Sequence, residues 1–486
     1  MTAEVIPGRL VQACADVRVA GQADAVAGVQ PGLVATPAST PEAGAVLAAA
    51  AELGLAVVPR GAGTRLDWGP PPARCDLVVD TSRLDAVLEH AAGDLVVRVQ
   101  AGVRLGQLAQ VLAAAGQRLA LDPPGSGPPG NGPPGNGQAS DAQASADPAS
   151  ADPASADPAS ADPASADPGS ADPGSADPGG TVGGLIATGV AGPLRLRYGA
   201  PRDLLIGITM VRADGTVARA GGKVVKNVAG YDIGKLLAGS YGTLGLITEA
   251  TFRLHPRPPA AAYVSMASPD PQAAAAALLT AGGSALAPSA AELDWPAGDA
   301  QAAVSVLLEG DADGVAERAA RLTELLDTAT ASDEPPPWWG RGPAAASDGT
   351  VLRIAFWAGR LPAVLTAIRA AAAMTGVDPA VGGSAAAGVL HAALPPTAPP
   401  AEVTTFVTAL RAELSDGPAA AADGMPPGIL PPGAGTSVVV LHAPPAVRQA
   451  VDVWGPVPAL ALMRAVKDQF DPEHRLAPGR FAGRTS

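Results

Sequence analysis

Two cysteines, Cys14 and Cys75, are all that the 486 residues contain. Two thiols cannot build a disulfide framework and are too few for an iron–sulfur cluster, which takes four ligands. Histidine is also scarce: His90, His255, His391, His442 and His474 lie far apart, with none at the spacing of a helical metal pair, so no metal site is expected. Aromatic residues make up 3% of the chain, which leaves small aliphatic side chains, alanine above all, to do the packing. Basic residues number 32 against 46 acidic ones and form no stripe, so nucleic-acid binding is unsupported. No uninterrupted apolar run is convincing as a bilayer span. The opening MTAEVIPGRL lacks the basic region and apolar core of a secretory signal. The expectation is a reduced, soluble, cytoplasmic protein.

Hydrophobic residues make up 47% of the chain, and its length is enough for two or three cores. The net charge of −14 is unevenly placed. Eight aspartates fall in residues 123–180, where there is no Lys, Arg or Glu, leaving −6 for the rest. Within that stretch Asp-Pro recurs every five residues from Asp147 to Pro178. Each proline removes an amide donor and pushes its predecessor out of the helical region, and no side chain there can build a core. Residues 123–180 therefore read as a disordered acidic insert, either a tolerated expansion or a partner-binding tether. Loop-closure entropy grows only by about 0.6 kcal/mol per doubling of length, so such an insert can loop out if its flanks are held together.

Around the insert the pattern is regular. PEAGAVLAAAAELG has helical spacing, and LAVVP, CDLVVDTSRLDAVLEH and DLVVRVQAGV read as strands, followed by the helix RLGQLAQVLAAAG. DLLIGITMVRADGTVARAGG reads as a hairpin turning at Asp214-Gly215, and LGLITEATFRLHP as a strand stopped by Pro256. From about Pro258 to Ala443, the strand candidates AAYVSMAS, AAVSVLLEG, TVLRIAFWAG and TSVVVLHAP alternate with alanine-rich helices and proline-rich joints. This is the texture of a smaller α+β domain with helices on one face of a sheet. A last helix, PALALMRAVKDQF, precedes DPEHRLAPGRF.

Glycine gathers at strand ends, in RGAGT, QAGV, GGTVGG and AGSYGTLG. RGAGT is no dinucleotide fingerprint, because Leu66 stands where the third glycine belongs. GYDIGK is one residue short of a Walker loop and has Leu236 in place of the Ser/Thr. Each turn alone reads as a tight turn. Together they present bare amides to an anion, and four of them suit a long ligand with a pyrophosphate at its middle.

VVPRGAGT, VQAGV, GGTVGGLIATGVAGP, RYGAPRDLLIG, KNVAGYDIGKLLAGSYGTLGLITEATFRLHP and the terminal DP…APGRF occur in this order. Together they resemble the FAD-binding fold of the vanillyl-alcohol oxidase / p-cresol methylhydroxylase type. KNVAGYD, GSYGTLG and VWGPVPALALMRAVKDQFDP resemble most the E-type, FAD-binding subunits of bacterial glycolate oxidases. The resemblance covers residues ~40–257 and ~450–483 well and the middle only in outline. It implies an α+β protein: a two-lobed FAD-binding domain (residues 1–122 and 181–257, split by the insert), a cap at 258–443, and a tail at 444–486 returning to the flavin.

By the same resemblance, Arg60, Gly61, Ala62, Gly63 and Thr64 wrap the pyrophosphate, and Thr181, Val182, Gly183 and Gly184 line the far side of the flavin site. Asn227, Tyr231 and Asp232 lie near the ring system. Gly239, Ser240, Gly242, Gly245 and Ile247 hold the adenosine half, and Arg480 enters from the tail. Asp232 reads equally as a helix N-cap, and Arg480 as a surface charge. The first loop lacks the histidine that tethers FAD in many relatives, which implies noncovalent FAD. Ala477 replaces the asparagine common in the tail.

The implied activity is oxidation of glycolate, a small 2-hydroxy acid, to glyoxylate. Electrons would pass to an iron–sulfur subunit in a complex that also holds a catalytic flavoprotein subunit, with any membrane contact made only through those partners. The relatives' cluster of cap histidines and an acidic residue is not readable here. No catalytic residue is assigned, and His442 reads as a satisfied core or edge histidine. The alternative is a flavin-carrying structural or electron-relay subunit without substrate turnover of its own.

Overall fold

Short β-branched runs punctuated by glycine turns form the first two sheets. The computed structural model describes residues 7–124, 180–222, 232–298, 300–343, 349–415 and 435–482; nearly all of the acidic insert lies outside the described residues. One sheet has the spatial order Val17–Val19, Leu33–Ala35, Leu77–Asp80, Val57–Arg60. Its last two pairings are parallel: the helix Thr40–Glu52 carries the chain from Leu33–Ala35 over to Val57–Arg60, and residues 61–76 bring it back to Leu77–Asp80 between them. Ser39 Oγ starts that helix by accepting from the Glu42 amide (3.2 Å), Pro41 fits its first turn, and Gly54 follows its end at φ +64°. Val46 and Leu47 on its inner face are fully buried, worth about 1.5–3 kcal/mol each.

The run CDLVVDTSRLDAVLEH, expected as one strand, is two. Leu77–Asp80 stays in the first sheet and Val87–Ala91 opens the second. The break is local hydrogen bonding: the Thr81 amide and hydroxyl both donate to Arg60 O, and the Ser82 amide donates to Asp80 Oδ1. The second sheet is antiparallel throughout, in the order Val87–Ala91, Val96–Gln100, Leu246–Arg253, Leu205–Val211, Val217–Gly221. Its edge is the hairpin expected at Asp214-Gly215, with Val211 paired to Val217 and Gly215 at φ +86°.

The third sheet has eight strands, all antiparallel, in the order Thr330–Ser332, Ala260–Ser268, Ala302–Gly310, Ala290–Trp295, Ala380–Gly383, Val389–Leu394, Thr350–Ala355, Ser437–His442. Four of these are the strands expected from sequence; the other four are too short or too rich in alanine and glycine to stand out. Period-two alternation gives the sheet two unlike faces. Val304, Val306, Leu352, Ile354 and Leu390 pack with the helices Pro271–Gly283, Leu361–Thr375 and Pro400–Ser415 in one core. Tyr263 and Leu307, on the opposite parity, share a core with Phe252 and Ile247 of the second sheet.

That junction carries one buried ion pair. Arg118 grips Glu309 with Nη1–Oε1 at 2.6 Å and Nη2–Oε2 at 2.8 Å, and also donates to Tyr198 Oη at 2.9 Å. Burial alone would raise the Glu309 carboxyl, but the bonds from Arg118 outweigh it and hold the group below its ordinary value. Arg118→Met leaves an uncompensated buried carboxylate and is expected to cost about 3–5 kcal/mol. Pairing it with Glu309→Leu should recover most of that loss, as read from urea midpoints at neutral pH. Equal losses in the single and double variants would show that the pair is not the coupling element.

Candidate functional site

Where the first sheet, the second sheet and the tail meet, the glycine turns enclose an open trough lined by residues of all three. Its first wall is the turn after strand Val57–Arg60, and Arg60, Gly61, Ala62, Gly63 and Thr64 all line it. The Arg60 guanidinium is engaged by Asp80 (2.7 Å) and Asp24 (2.8 Å), so its charge anchors the turn. Asp24 is gripped first by Arg18 and then by Arg60, which hold its carboxyl well below the usual carboxylate range.

The second wall is the start of helix Val182–Thr188, from which Thr181, Gly183 and Gly184 line the trough. Thr181 caps this helix, its Oγ1 accepting from the Gly184 amide at 3.3 Å. The missing side chains serve contact between the walls: a Cβ on Gly61 would overlap Thr181 Oγ1, and one on Gly183 would lie 2.9 Å from Ala101 Cβ. Val182 points into the core.

Gly242, Gly245 and Ile247 line the third wall. A Cβ on Gly242, at φ +73°, would lie 3.2 Å from Pro59, and one on Gly245 would overlap Met210 Cε. Gly239 and Ser240 stand behind this wall, where the Gly239 amide donates to Ile186 O at 2.9 Å. Asp232 lies away from the trough as the N-cap of Ile233–Leu237, paired with Lys235 at 3.1 Å. Asn227 and Tyr231 lie outside the described residues.

The tail closes the trough. Leu476 runs parallel beside Val57, and Arg480 is 3% exposed and lines the cavity. Burial pushes the Arg480 guanidinium down to about 10; one of its nitrogens donates to Trp68 O, while its buried Nε has no hydrogen-bond partner. The approach is fixed by Lys467, itself 3% exposed, whose ammonium donates to Thr243 O (2.6 Å), Asp471 Oδ2 (2.5 Å) and Leu476 O (3.1 Å). His442 pairs with Asp67 at 2.7 Å and ties the edge of the eight-stranded sheet to the first lobe.

Sequence reasoning missed Tyr241 and Arg65, which also line the trough. Tyr241 sits at φ +54°, a costly conformation for a bulky residue, and its buried phenol oxygen has no hydrogen-bond partner. The signal was available: an aromatic between two glycines that both need left-handed turns.

It also missed a group on the inner face of the eight-stranded sheet, where Arg353 and His391 stand on paired strands, Glu292 stands on the far side of the intervening strand Ala380–Gly383, and Arg195 lies opposite. Burial raises Glu292 to about 7 and lowers His391 to about 4, the latter helped by Arg353 and Arg195. Ionisable residues inside otherwise apolar runs, Glu292 and Asp294 in AAELDW, Arg353 in VLRIA and His391 in VLHAAL, are its trace in the sequence.

The comparisons with known proteins agree with this geometry. Residues 31–132 and 169–221 match the FAD binding domain family, and 454–481 match the C-terminal domain of FAD linked oxidases. Glycolate oxidase subunit GlcD of Bacillus subtilis is 29% identical over 228 residues, 47% of this chain and 38% of that protein. Glycolate oxidase subunit GlcE of Escherichia coli is 47% identical over 78 residues, 16% of this chain and 22% of that protein. D-lactate dehydrogenase of Archaeoglobus fulgidus is 31% identical over 226 residues, 46% of this chain and 39% of that protein. The chain thus spans less than half the length of these relatives. A solved alkyldihydroxyacetonephosphate synthase shares the fold with a TM-score of 0.59 at 16% identity, covering 93% of this chain and 78% of that one.

The matched parts of the chain resemble the FAD-linked oxidase superfamily, glycolate oxidase-like subunits among its members. Its fold is the α+β FAD-binding fold of that superfamily, and its cofactor is noncovalent FAD. The trough fits such a guest: buried donors on Arg480 and Tyr241 lack partners, and bare amide turns line the walls. Among the described residues, no helix is long and apolar enough to cross a membrane, and no group of three or more His, Cys, Asp or Glu could hold a metal ion.

The opposed shifts of Glu292 and His391 give a test of their burial. Native Glu292 keeps its proton between its ordinary 4.5 and about 7, so its contribution is complete below 4.5 and is lost as pH rises to about 7. Native His391 stays neutral between about 4 and its ordinary 6.5, so its contribution is complete above 6.5 and is lost as pH falls to about 4. Relative to wild type, His391→Gln should therefore lose stability from pH 4 to 6.5, and Glu292→Gln should gain it from pH 4.5 to 7. Each limiting slope is about 1.4 kcal/mol per pH unit. Urea midpoints across this range, wild type against each variant, check both signs.

Proposed function

We propose that this chain is the FAD-binding subunit of a glycolate oxidase-type complex. It oxidises a small 2-hydroxy acid, glycolate, to the 2-oxo acid glyoxylate in the cytoplasm and hands the electrons to an iron–sulfur partner, alongside a catalytic flavoprotein subunit. The observation that carries this reading is the single trough into which the three glycine-turn walls and Arg480 converge. The relatives' names support the substrate class: glycolate oxidase subunits and D-lactate dehydrogenase all act on 2-hydroxy acids. The chain's two cysteines, both buried and free, support the need for a separate cluster-bearing partner.

Bound FAD supplies a two-electron acceptor. In this reading the amides of the Arg60–Thr64 turn bind the pyrophosphate, with Arg480 adding the charge, and Thr181, Gly183 and Gly184 line the far side of the flavin site. Gly242, Gly245 and Ile247 flank the adenosine half, with Gly239 and Ser240 behind them. Val182 supports its wall from the core, and Asp232, Asn227 and Tyr231 belong to the segment flanking the ring. Residues 1–122 and 181–257 are the two lobes, 258–443 the cap and 444–486 the tail.

The full-length chain, purified and saturated with FAD, should carry a flavin spectrum that glycolate bleaches without oxygen. Arg480→Met should weaken FAD binding about 10-fold or more, since a charge-assisted contact is worth about 1.5–3 kcal/mol. A chain that takes up no flavin would overturn the reading. Bound flavin that glycolate never reduces, alone or with co-purified partners, would leave a carrier or relay subunit instead.

A further inference from the structure

The face of the second sheet turned away from Phe252 changes character along its length. Near the hairpin it is apolar and covered, where Val211 and Ala213 pack with Val46 and Leu47 of helix Thr40–Glu52. Past the start of that helix the same face becomes polar, with Arg98, Thr209, Glu249 and Thr251 on it. A cavity of about 330 Å³ opens there, at the lower end of the range of about 300–1,000 Å³ usual for small-molecule sites. Among the described residues its lining comes from four strands of this sheet and from Gly222, and none of it is shared with the trough.

Strand register places the charges. Arg98 pairs with Thr251, Thr251 with Gly207, and Gly207 with Gly221; one step along, Glu249 pairs with Thr209 and Thr209 with Arg219. Arg98 and Arg219 therefore stand on strands three spacings apart, about 14 Å, and the glycines leave the floor between them bare. Arg98 Nε is buried without a hydrogen-bond partner, although Glu89 lies opposite Arg98 on the edge strand. Arg253 Nε, two residues beyond Thr251, is in the same state. Glu249 is held at its two oxygens by the hydroxyls of Thr40 (3.4 Å) and Thr209 (3.3 Å). Each of those oxygens has a second lone pair to offer.

Guanidinium groups on either side of a bare floor ask for an anion whose oxygens point in several directions. A carboxylate has two oxygens in one plane, whereas phosphate presents its oxygens tetrahedrally and matches the guanidinium fork. Glu249 repels an anion that has no proton to give and accepts from one that has. We propose that this cavity binds a phosphate group, free or as the ester of a short hydroxylated skeleton. Arg98 and Arg219 pair its oxygens from the two sides, Thr251 donates from the floor, and Glu249 accepts from the ligand's own O–H. The site needs neither flavin nor a 2-hydroxy acid, so it stands apart from the function proposed above.

The test is calorimetric titration of the FAD-loaded full-length chain, at neutral pH and fixed ionic strength, with inorganic phosphate, glycerol 3-phosphate and sulfate. Wild type should bind phosphate at millimolar concentration or below, and sulfate about 10-fold or more weakly, since sulfate has no O–H for Glu249. Arg98→Met should weaken phosphate about 10-fold or more at unchanged flavin content. Arg219→Met, at an exposed position that the fold does not rely on, should do the same and so exclude misfolding as the cause. Glu249→Gln, whose amide can donate, should bring sulfate to within about threefold of phosphate. Glycerol 3-phosphate binding more tightly than phosphate identifies an ester as the ligand, and equal or weaker binding identifies free phosphate; both uphold the site. A wild-type chain that binds no phosphate at millimolar concentration, or binds sulfate equally well, overturns the proposal, as does phosphate binding that Arg219→Met leaves unchanged.

Discussion

One buried ammonium, that of Lys467, holds the ends of the trough in register. Taking a charge of this kind out of water costs several kcal/mol, and only a nearly complete set of acceptors offsets it. Lys467 has three, from three places in the chain: the Thr243 carbonyl beside the third wall, the Asp471 carboxylate one helical turn on, and the Leu476 carbonyl in the tail. Asp471 then accepts from the amides of Arg475 and Leu476, so the chain reversal after the last helix is fixed as well. Leu476 is the residue that lies beside Val57, and Arg480 follows four positions later. The angle at which the tail reaches the cavity is thus set by one desolvated cation.

Much of the trough was legible because the constraint acts on backbone. Left-handed turns and close wall-to-wall contacts need glycine, so RGAGT, GGTVGG and YGTLG could be read directly. What that reading could not give was the reason for each missing side chain. Gly61 and Gly183 make room for Thr181 and Ala101, and Gly245 for Met210. The bare surface offered to a guest follows from packing demands between the walls. Tyr241 was overlooked although it stands between Gly239 and Gly242, and Arg60 turned out to face Asp24 and Asp80 because charge pairing between distant segments has no local signature.

The inner face of the eight-stranded sheet was least legible. Glu292, Arg353 and His391 are separated by roughly forty to sixty positions, and only strand register makes them neighbours. Alanine-rich strands hid that register, since half of them carry too little β-branched character to declare themselves. The helix-covered face shows the opposite: long aliphatic alternation in AAVSVLLEG and TVLRIAFWAG announced itself early.

The alternation has an evolutionary corollary. In each inner strand, the residues that grip the helices and those that look toward the lobes occupy odd and even positions of one run, so two selective pressures are written into the same few residues without competing. Leu293 can answer to packing while Glu292 answers to chemistry, and likewise Ile354 beside Arg353 and Leu390 beside His391. Diversification confined to one parity would explore new guests on an unchanged chassis, which makes this sheet a natural substrate for divergence and a practical one for directed recombination.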